Sequence, residues 1–358
     1  MSSAAFFGPR NKKCLDLGMA SQESPMLVET LPLTTRTLYF TKLWGLKLVT
    51  ILGFKIVRTF RPPPKEINPS IIKAYPCRPR LRNRIFIPKS HKPGELLPLY
   101  IDMHAGGHTL LDAQFDDEFC CTFANKLNVL VVSLEYSTAP ESKFPEPTND
   151  VVAITQAIMK DETLPVDLSR VVLGGFSAGA NLAFSAAQMS GLKDKIKGIV
   201  SCYPVLDMTI TPADKQKTRA YRHSKDMDAL KDWGPIWTYA YVKPGQDLRD
   251  PLISTKYAHR DNLPKWICMV GAEFDMLGEE ARQNIFDLAS LDKAEREEGH
   301  YEFEKGAYKW LLVRDVMHGF THDLMDSPGA EAVAMNKKRT AEMIEDVGPW
   351  LFKGPYAK

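Results

Sequence analysis

The 358-residue sequence has neither a strong excess of charge nor a run of like charges. Its 46 basic and 44 acidic residues leave a net charge of +2, and no five consecutive residues carry the same sign. Basic arms and patches are the usual electrostatic signature of nucleic-acid binding. We therefore expect no nucleic acid as a partner. The hydrophobic share of 44% is ordinary for a globular protein and suffices for a sizeable core.

The six cysteines lack the Cys-x-x-Cys spacing of a metal site. Two of them, Cys120 and Cys121, are adjacent, which is not the pattern of a disulfide framework. The sequence also lacks an Asn-x-Ser/Thr acceptor without an intervening proline, and its first residues lack a basic end followed by a long apolar stretch. These absences favour a reduced compartment. We expect a cytoplasmic location and no bound metal.

No apolar run is long enough to predict a membrane span. The longest, residues 43–57, is interrupted by Lys47 and Lys55 and falls short of the roughly 20 residues that a spanning helix needs. We expect an amphipathic helix that packs on the rest of the chain. The alternative is peripheral contact of residues 41–60 with a membrane surface, with the basic side chains reaching toward the headgroups.

A proline-rich stretch, residues 61–69, cannot continue that helix. It divides an N-terminal helical cap segment, residues 1–60, from a larger main body, residues 61–358. A second irregular piece, at about residues 207–248, interrupts the main body. We expect this insertion to fold together with the N-terminal segment as a helical cap.

In the main body, short runs rich in Val, Ile and Leu alternate with segments of helical spacing. This alternation predicts an α/β fold with a mostly parallel, twisted sheet and helices on both faces. In such a sheet, ligands bind beyond the carboxyl ends of the strands. The predicted strands are residues 98–107, 128–136, 169–175, 197–205, 265–273 and 309–318. The predicted helices are residues 112–127, 150–160, 180–191 and 279–291.

Residues 171–180 read VVLGGFSAGA and present a single hydroxyl, that of Ser177, between a predicted strand and a predicted helix. Gly175 and Gly179 complete a Gly-x-Ser-x-Gly pattern. In a nucleophile elbow, such glycines let strand and helix approach each other while the serine sits in a strained turn. The five residues alone are a weak signal, because short glycine motifs recur by chance. The strand before and the helix after them favour Ser177 as a nucleophile.

A serine nucleophile needs a histidine base and an orienting carboxylate, which in this architecture follow in the order serine, acid, histidine. His318 directly follows a strong strand signal and precedes a glycine, so we assign it as the base, with His322 as the alternative. Asp275 lies just beyond the strand predicted at residues 265–273, and Glu273 is the alternative acid. A helix cap would also explain Asp275.

The oxyanion that forms during attack needs N–H donors. One donor is expected from Ala178, the residue after the nucleophile. A second source is expected in residues 104–107, His-Ala-Gly-Gly, at the end of an apolar strand. The small residues after His104 let backbone N–H groups face a substrate.

These segments together resemble the hormone-sensitive-lipase-like branch (HGGG and GxSxG) of the α/β-hydrolase superfamily. The similarity runs from about residue 80 to residue 350. The family's HGGG loop, GDSAG elbow, Asp-Pro-Leu turn and terminal HGF turn correspond to HAGG (104–107), GFSAG (175–179), DML (275–277) and HGF (318–320). Two further segments, residues 135–151 and 250–254, are similar to family segments as well.

The resemblance implies a capped α/β-hydrolase fold that needs no metal or organic cofactor. It also implies an acyl-enzyme mechanism with a triad and an oxyanion hole. The residues implied are Ser177 as nucleophile, His318 as base, Asp275 as orienting acid, and the amides of Gly106, Gly107 and Ala178 as oxyanion donors.

Four departures from the family pattern stand out. Ala105 replaces the first glycine of the oxyanion loop, and Met276 replaces proline in the acid turn. The charged segment at residues 292–308 is long and is expected to be a solvated excursion. Phe176 replaces the usual aspartate in the elbow and is where we expect altered specificity. We expect Phe176→Asp to leave the fold intact and to change the kinetics.

The sequence therefore predicts a serine hydrolase that cleaves a carboxylic ester of a small or medium apolar substrate. An acyltransferase, thioesterase or lactonase is the alternative, because the sequence does not distinguish water from another acyl acceptor. A non-catalytic ligand receptor is less favoured, since all three triad residues are present. A homodimer is left open. Six cap aromatics are expected near the pocket mouth, although packing within the cap would also explain them: Phe40, Trp44, Phe54, Trp233, Trp237 and Tyr239.

Overall fold

The computed structural model describes residues 24–220, 228–322 and 329–358. Residues 1–23 of the predicted N-terminal segment and residues 221–227 of the predicted insertion lie outside the described residues. Within the described ranges, no helix combines the length and the apolar character needed to cross a bilayer.

Nine strands form one sheet, in the order β1-β2-β4-β3-β5-β6-β7-β9-β8. The six strands from β4 to β9 in that order run parallel, while β1, β2 and β8 pair antiparallel at the two edges. The strands are β1 (Ile71–Tyr75), β2 (Arg78–Phe86), β3 (Leu97–Met103), β4 (Leu130–Leu134), β5 (Val166–Phe176), β6 (Gly198–Cys202), β7 (Trp266–Ala272), β8 (Glu302–Lys305) and β9 (Tyr308–Val313). All six predicted strands are thus confirmed.

Helices cover both faces of the sheet. They are α1 (Leu33–Phe60), α2 (Asp117–Leu127), α3 (Glu146–Ile158), α4 (Ala178–Gln188), α5 (Pro212–Lys215), α6 (Ala229–Tyr241), α7 (Gly278–Leu288), α8 (Lys293–Glu298) and α9 (Ala330–Lys353). Leu99 and Ile101 of β3 join α3, α4 and α7 in one apolar cluster. Tyr100, between them, joins α2 and α9 in another. Because neighbouring strand residues point to opposite faces, the apolar residues of one buried strand fill both halves of the core.

Three strands, β1, β2 and β8, were not predicted from the sequence. β2, which pairs with the edge strand β1 and with β4, carries four arginines in nine residues and so lacks the apolar run typical of a buried strand. The segment at residues 292–308 is solvated as expected but is regularly structured. Asp292 and Glu295 form a capping box at the start of α8, and the exposed strand β8 then pairs with β9.

The α1 helix packs on α6 above the carboxyl ends of the parallel strands. Leu43 of α1 is fully buried in an apolar cluster with Ile236 and Tyr241 of α6. Lys47 is also buried, and its Nζ donates to the carbonyl oxygen of Ala139 at 2.9 Å. Near the end of α1, the guanidinium of Arg58 donates to both carboxylate oxygens of Asp112 at 2.8 Å. Polar anchors along the helix therefore fix α1 to the main body.

Candidate active site

Ser177 lies in the sharp turn between β5 and α4. Its φ is +53° and its ψ −112°, an unusual conformation for a residue with a side chain. Its N–H donates to the carbonyl oxygen of Cys202 at 2.9 Å, which ties the turn to the end of β6. The turn therefore holds the hydroxyl at the carboxyl end of the sheet.

Gly175 and Gly179 make this turn sterically feasible. A Cβ at Gly179 would lie 2.1 Å from the carbonyl oxygen of Met103, and one at Gly175 would lie 2.7 Å from the same atom. No side chain fits at either position without moving the backbone of β3. The two glycines thus have the packing role that the Gly-x-Ser-x-Gly pattern predicts.

Ser177, His318 and Asp275 form a chain of hydrogen bonds. His318 Nε2 lies 3.0 Å from Ser177 Oγ, and His318 Nδ1 lies 2.8 Å from Asp275 Oδ2. The other carboxylate oxygen, Oδ1, accepts the N–H of Leu277 at 2.9 Å. Since an ionised carboxylate only accepts, Nδ1 carries the proton in this arrangement and Nε2 is free to take the serine proton.

Electrostatics favour the protonated form of His318. Burial by itself lowers the pKa of the imidazole, but the charge of Asp275, its hydrogen bond and the charge of Asp228 together raise the pKa above its ordinary value of 6.5. An imidazolium formed during proton transfer is therefore stabilised where it forms.

The two alternative triad residues have other contacts. The carboxylate of Glu273 accepts the N–H of Asp315 at 2.8 Å. This hydrogen bond links the turn that carries Asp275 to the turn that carries His318. His322 Nε2 lies 2.8 Å from Asp116, a buried carboxyl whose pKa is raised to about 8 by burial. The His322 ring is stacked on Phe115. Glu273 and His322 thus support the loops around the chain of hydrogen bonds, and neither is part of it.

The predicted oxyanion donors lie in two places, the loop after β3 and the first residue of α4. Gly106 and Gly107 have φ values of +115° and +59°, which favour glycine, whereas the φ of Ala105 is not in the left-handed region. This explains why alanine is accepted at the first position after His104. Within the described ranges, the N–H groups of Gly106, Gly107 and Ala178 donate to no other group of the chain.

His104 lies beneath this loop and is fully buried. Its ring is stacked on Tyr136 at 4.0 Å, and its Nδ1 lies 2.7 Å from the carbonyl oxygen of Ala105. The hydroxyl of Tyr136 donates to the carbonyl oxygen of His104 at 2.8 Å. Burial lowers the pKa of His104 to about 4, so the ring is neutral. His104 therefore supports the loop from below.

A cavity of about 740 Å³ opens from Ser177 and Gly107 toward the cap. Of the six predicted aromatics, Trp237 and Tyr239 line the cavity. Trp233 instead packs against the apolar cluster that contains Leu43 and Ile236, and Phe54 packs against Phe115. Phe40 and Trp44 lie on the exposed side of α1. Much of the wall comes from residues that gave no signal in the sequence, including the coil at residues 26–31 and the loop at 208–212.

Phe176 does not line the cavity. Its side chain is fully buried behind the turn, where its ring centroid lies 4.7 Å from those of Phe119 and His322. The expectation that Phe176→Asp leaves the fold intact is therefore not supported, because it would bury a carboxylate in an aromatic cluster. An influence of Phe176 on specificity could act only through the packing of the elbow.

The described residues contain no group of three or more His, Cys, Asp or Glu side chains that could hold a metal ion. At the cavity floor, Ser177 instead begins the hydrogen-bonded series with His318 and Asp275, and Gly107 also lines the cavity. Their arrangement is suited to attack on a carbonyl carbon with stabilisation of an oxyanion.

Comparison with known proteins gives matches over most of the main body. Residues 100–306 match the family described as the alpha/beta hydrolase fold. Neutral cholesterol ester hydrolase 1 of Bos taurus is 40% identical over 128 residues, which are 33% of this chain and 31% of that protein. The 2-hydroxyisoflavanone dehydratase of Glycyrrhiza echinata is 26% identical over 224 residues, 55% of this chain and 66% of that protein. The chain thus matches about a third of the first relative and two thirds of the second.

A solved structure extends the likeness to nearly the whole chain. An esterase of Pyrobaculum calidifontis superposes with a TM-score of 0.67, covering 90% of this chain and 98% of that one, at 21% sequence identity. A likeness at this identity demonstrates the shared fold.

Proposed function

Because this chain belongs to the alpha/beta hydrolase fold family, we propose that it is a serine hydrolase that cleaves carboxylic esters. The observation that carries the proposal is the hydrogen-bonded series Ser177–His318–Asp275, with distances of 3.0 and 2.8 Å. This series places a nucleophile and a base in hydrogen-bond contact at the floor of the cavity. The ester hydrolase named among the relatives supports the same activity.

In the proposed reaction, Ser177 Oγ attacks the ester carbonyl carbon while its proton moves to His318 Nε2. The N–H groups of Gly106, Gly107 and Ala178 donate to the oxyanion, and Asp275 stabilises the imidazolium. The C–O bond to the alcohol then breaks, and the alcohol leaves with the proton from Nε2. Water, deprotonated by the same nitrogen, attacks the acyl-enzyme, and the acid leaves as Oγ regains its proton.

We propose a substrate of small or medium size with an apolar body. The cavity of about 740 Å³ falls within the usual range for small-molecule sites, and Trp237, Tyr239 and Tyr241 are among its walls. The relative that is named for ester hydrolysis favours water over another acceptor. Acyl transfer, and thioester or lactone cleavage, therefore rank below ester hydrolysis. A ligand receptor ranks lower still, because the proton-transfer chain has no evident role in binding alone.

Activity-based labelling tests the proposal. A fluorophosphonate should label the wild-type protein at Ser177 and abolish hydrolysis of graded p-nitrophenyl esters, and product analysis should find the free acid and alcohol. Ser177→Ala should lose labelling and hydrolysis while keeping its circular dichroism spectrum. Full hydrolysis by Ser177→Ala would overturn the assignment, and elimination products without acid would point to a dehydratase.

We further propose that the exposed face of α1 contacts an anionic membrane surface. The helix has no acidic residue, and its apolar side chains are widely exposed between residues 40 and 60, up to 79% at Phe60. Arg36 and Tyr39, on the same helix, line the cavity, so docking of α1 would bring the cavity mouth to the lipid. Sedimentation with phosphatidylserine vesicles should carry down the wild type. A variant with Leu48, Ile51 and Ile56 changed to serine should stay in solution.

We also propose that residues 1–60 and about 207–248 form a cap on a catalytic domain at residues 61–358, which the packing of α1 on α6 supports. We propose a cytoplasmic location from the cysteine pattern. A homodimer stays a prediction, and light scattering of the purified protein would decide it.

A further inference from the structure

A carboxylate from the cap lies beside the turn that carries Asp275. Asp228, directly before α6, is 4% exposed. Its Oδ2 accepts the N–H of Met276 at 3.3 Å, and its Oδ1 accepts the N–H of Leu230 in the first turn of α6 at 2.9 Å. One side chain therefore joins the start of a cap helix to the residue next to Asp275.

A cap arginine holds the other side of the same turn. The Nε of Arg219 donates to the carbonyl oxygen of Phe274 at 2.6 Å and lies 3.7 Å from Asp228 Oδ2. The Arg219 side chain is fully buried. The two neighbours of Asp275, Phe274 and Met276, are thus each fixed by a charged cap side chain. A buried ion pair is tolerated when such additional hydrogen bonds satisfy it.

Asp228 also belongs to the charge environment of the histidine. The groups that face His318 are Ser177 from the elbow, Asp275 from the turn after β7, the ring of Tyr203, whose centroid lies 4.8 Å from that of His318, and Asp228 from the cap. The groups that face Asp228 are Asp275, His318 and Arg219. Burial first, and then the charge of Asp275, raise the pKa of Asp228 itself. The ionised carboxylate in turn raises the pKa of His318.

We propose that Asp228 and Arg219 are positioning residues that align Asp275 from the cap, and that the negative charge of Asp228 stabilises the imidazolium of His318. This inference rests on the proposed function, because it concerns the same site. Its consequence is that the chemistry depends on a docked cap: when the cap segment leaves, the turn of Asp275 loses a contact on each side. The cap then contributes to kcat in addition to enclosing the substrate.

Asp228→Asn tests this inference, since the amide keeps the size and one oxygen that can accept the N–H of Met276, but it lacks the charge and the second acceptor that Leu230 uses. We expect kcat to fall about 10-fold with KM changed less than about twofold, since the lost interaction is strongest in the transition state. The acidic limb of kcat/KM should move to lower pH by about half a unit or more. Asp214→Asn is the matched control: Asp214 is an exposed cap carboxylate paired with Lys217, and its loss should leave both kcat and the limb unchanged.

A merely structural role would raise KM or lower the melting temperature without moving the acidic limb, and that result overturns the inference. Titration of ¹⁵N-labelled histidines by NMR supplies a readout that needs no turnover. A lower pKa of His318 in Asp228→Asn than in the wild type supports the coupling even if no ester is cleaved. Absence of hydrolysis by the wild type would count against the proposed function alone, whereas an unmoved His318 titration would count against this inference alone.

Discussion

The indole ring of Trp237 rests on the backbone of Gly107: a Cβ at Gly107 would lie 2.6 Å from Trp237 Cδ2. Trp237 belongs to α6, whereas Gly107 belongs to the loop after β3 whose N–H groups we propose as oxyanion donors. The cap therefore contacts the proposed oxyanion donors directly, as it contacts the turn of Asp275. Changes at these contacts should affect the reaction as well as substrate entry.

Gly107→Ala should lower kcat about 10²-fold, the usual effect of a lost oxyanion donor. The new methyl group would displace Trp237 or the loop, and the positive φ adds strain of about 1 kcal/mol. Gly306→Ala is the control, because Gly306 has a φ of +60° but no atom near its Cβ position. Gly306→Ala should lower the free energy of unfolding by a similar amount, about 1 kcal/mol, and leave kcat unchanged. If Gly107→Ala has the same kcat as Gly306→Ala, Gly107 has no part in the reaction.

The pH dependence of hydrolysis should follow His318. Only the neutral imidazole accepts the serine proton, so kcat/KM should fall as the pH drops through the pKa of His318. Burial lowers this pKa but Asp275 and Asp228 raise it more, so the midpoint should lie above pH 6.5. A pH–rate profile with a midpoint clearly below pH 6 would contradict the arrangement.

Asp275→Asn should reduce kcat by about 10⁴-fold, as loss of the orienting carboxylate does in serine triads. The amide removes the charge that stabilises the imidazolium and no longer fixes which nitrogen carries the proton. Glu273→Gln is the matched comparison, since its carboxylate bonds the N–H of Asp315 and not His318. We expect Glu273→Gln to lower kcat by less than tenfold. Steady-state kinetics on both variants would separate the two candidate acids.

Phe176→Asp should destabilise the protein strongly, by more than about 3 kcal/mol. It removes a fully buried ring and puts a carboxylate beside the rings of Phe119 and Tyr203, where burial deprives it of hydration. Phe176→Leu keeps an apolar side chain and should cost about 1–2 kcal/mol. Urea unfolding curves measure both values. A urea midpoint for Phe176→Asp equal to that of the wild type would contradict the buried packing of Phe176.

The sequence alone predicted the parallel strands, the elbow and the residues that meet at its serine. Buried strands have a nearly continuous apolar pattern, and the elbow motif needs glycines at fixed positions, so both features are local. The order serine, acid, histidine then restricted the partners of Ser177 to a few residues after later strands. The strands β1, β2 and β8 lacked such a pattern and were missed.

Only the tertiary structure decided which residues face one another across the cap. Side chains far apart in sequence, such as Asp228 and Met276, meet because the insertion folds back over the sheet, and no periodicity encodes that contact. The role of Phe176 was likewise open, because a position in a turn does not fix whether its side chain points to the cavity or to the core. Local pattern thus determined the chemistry that we propose at Ser177, and long-range packing determined the cavity and the environment of His318.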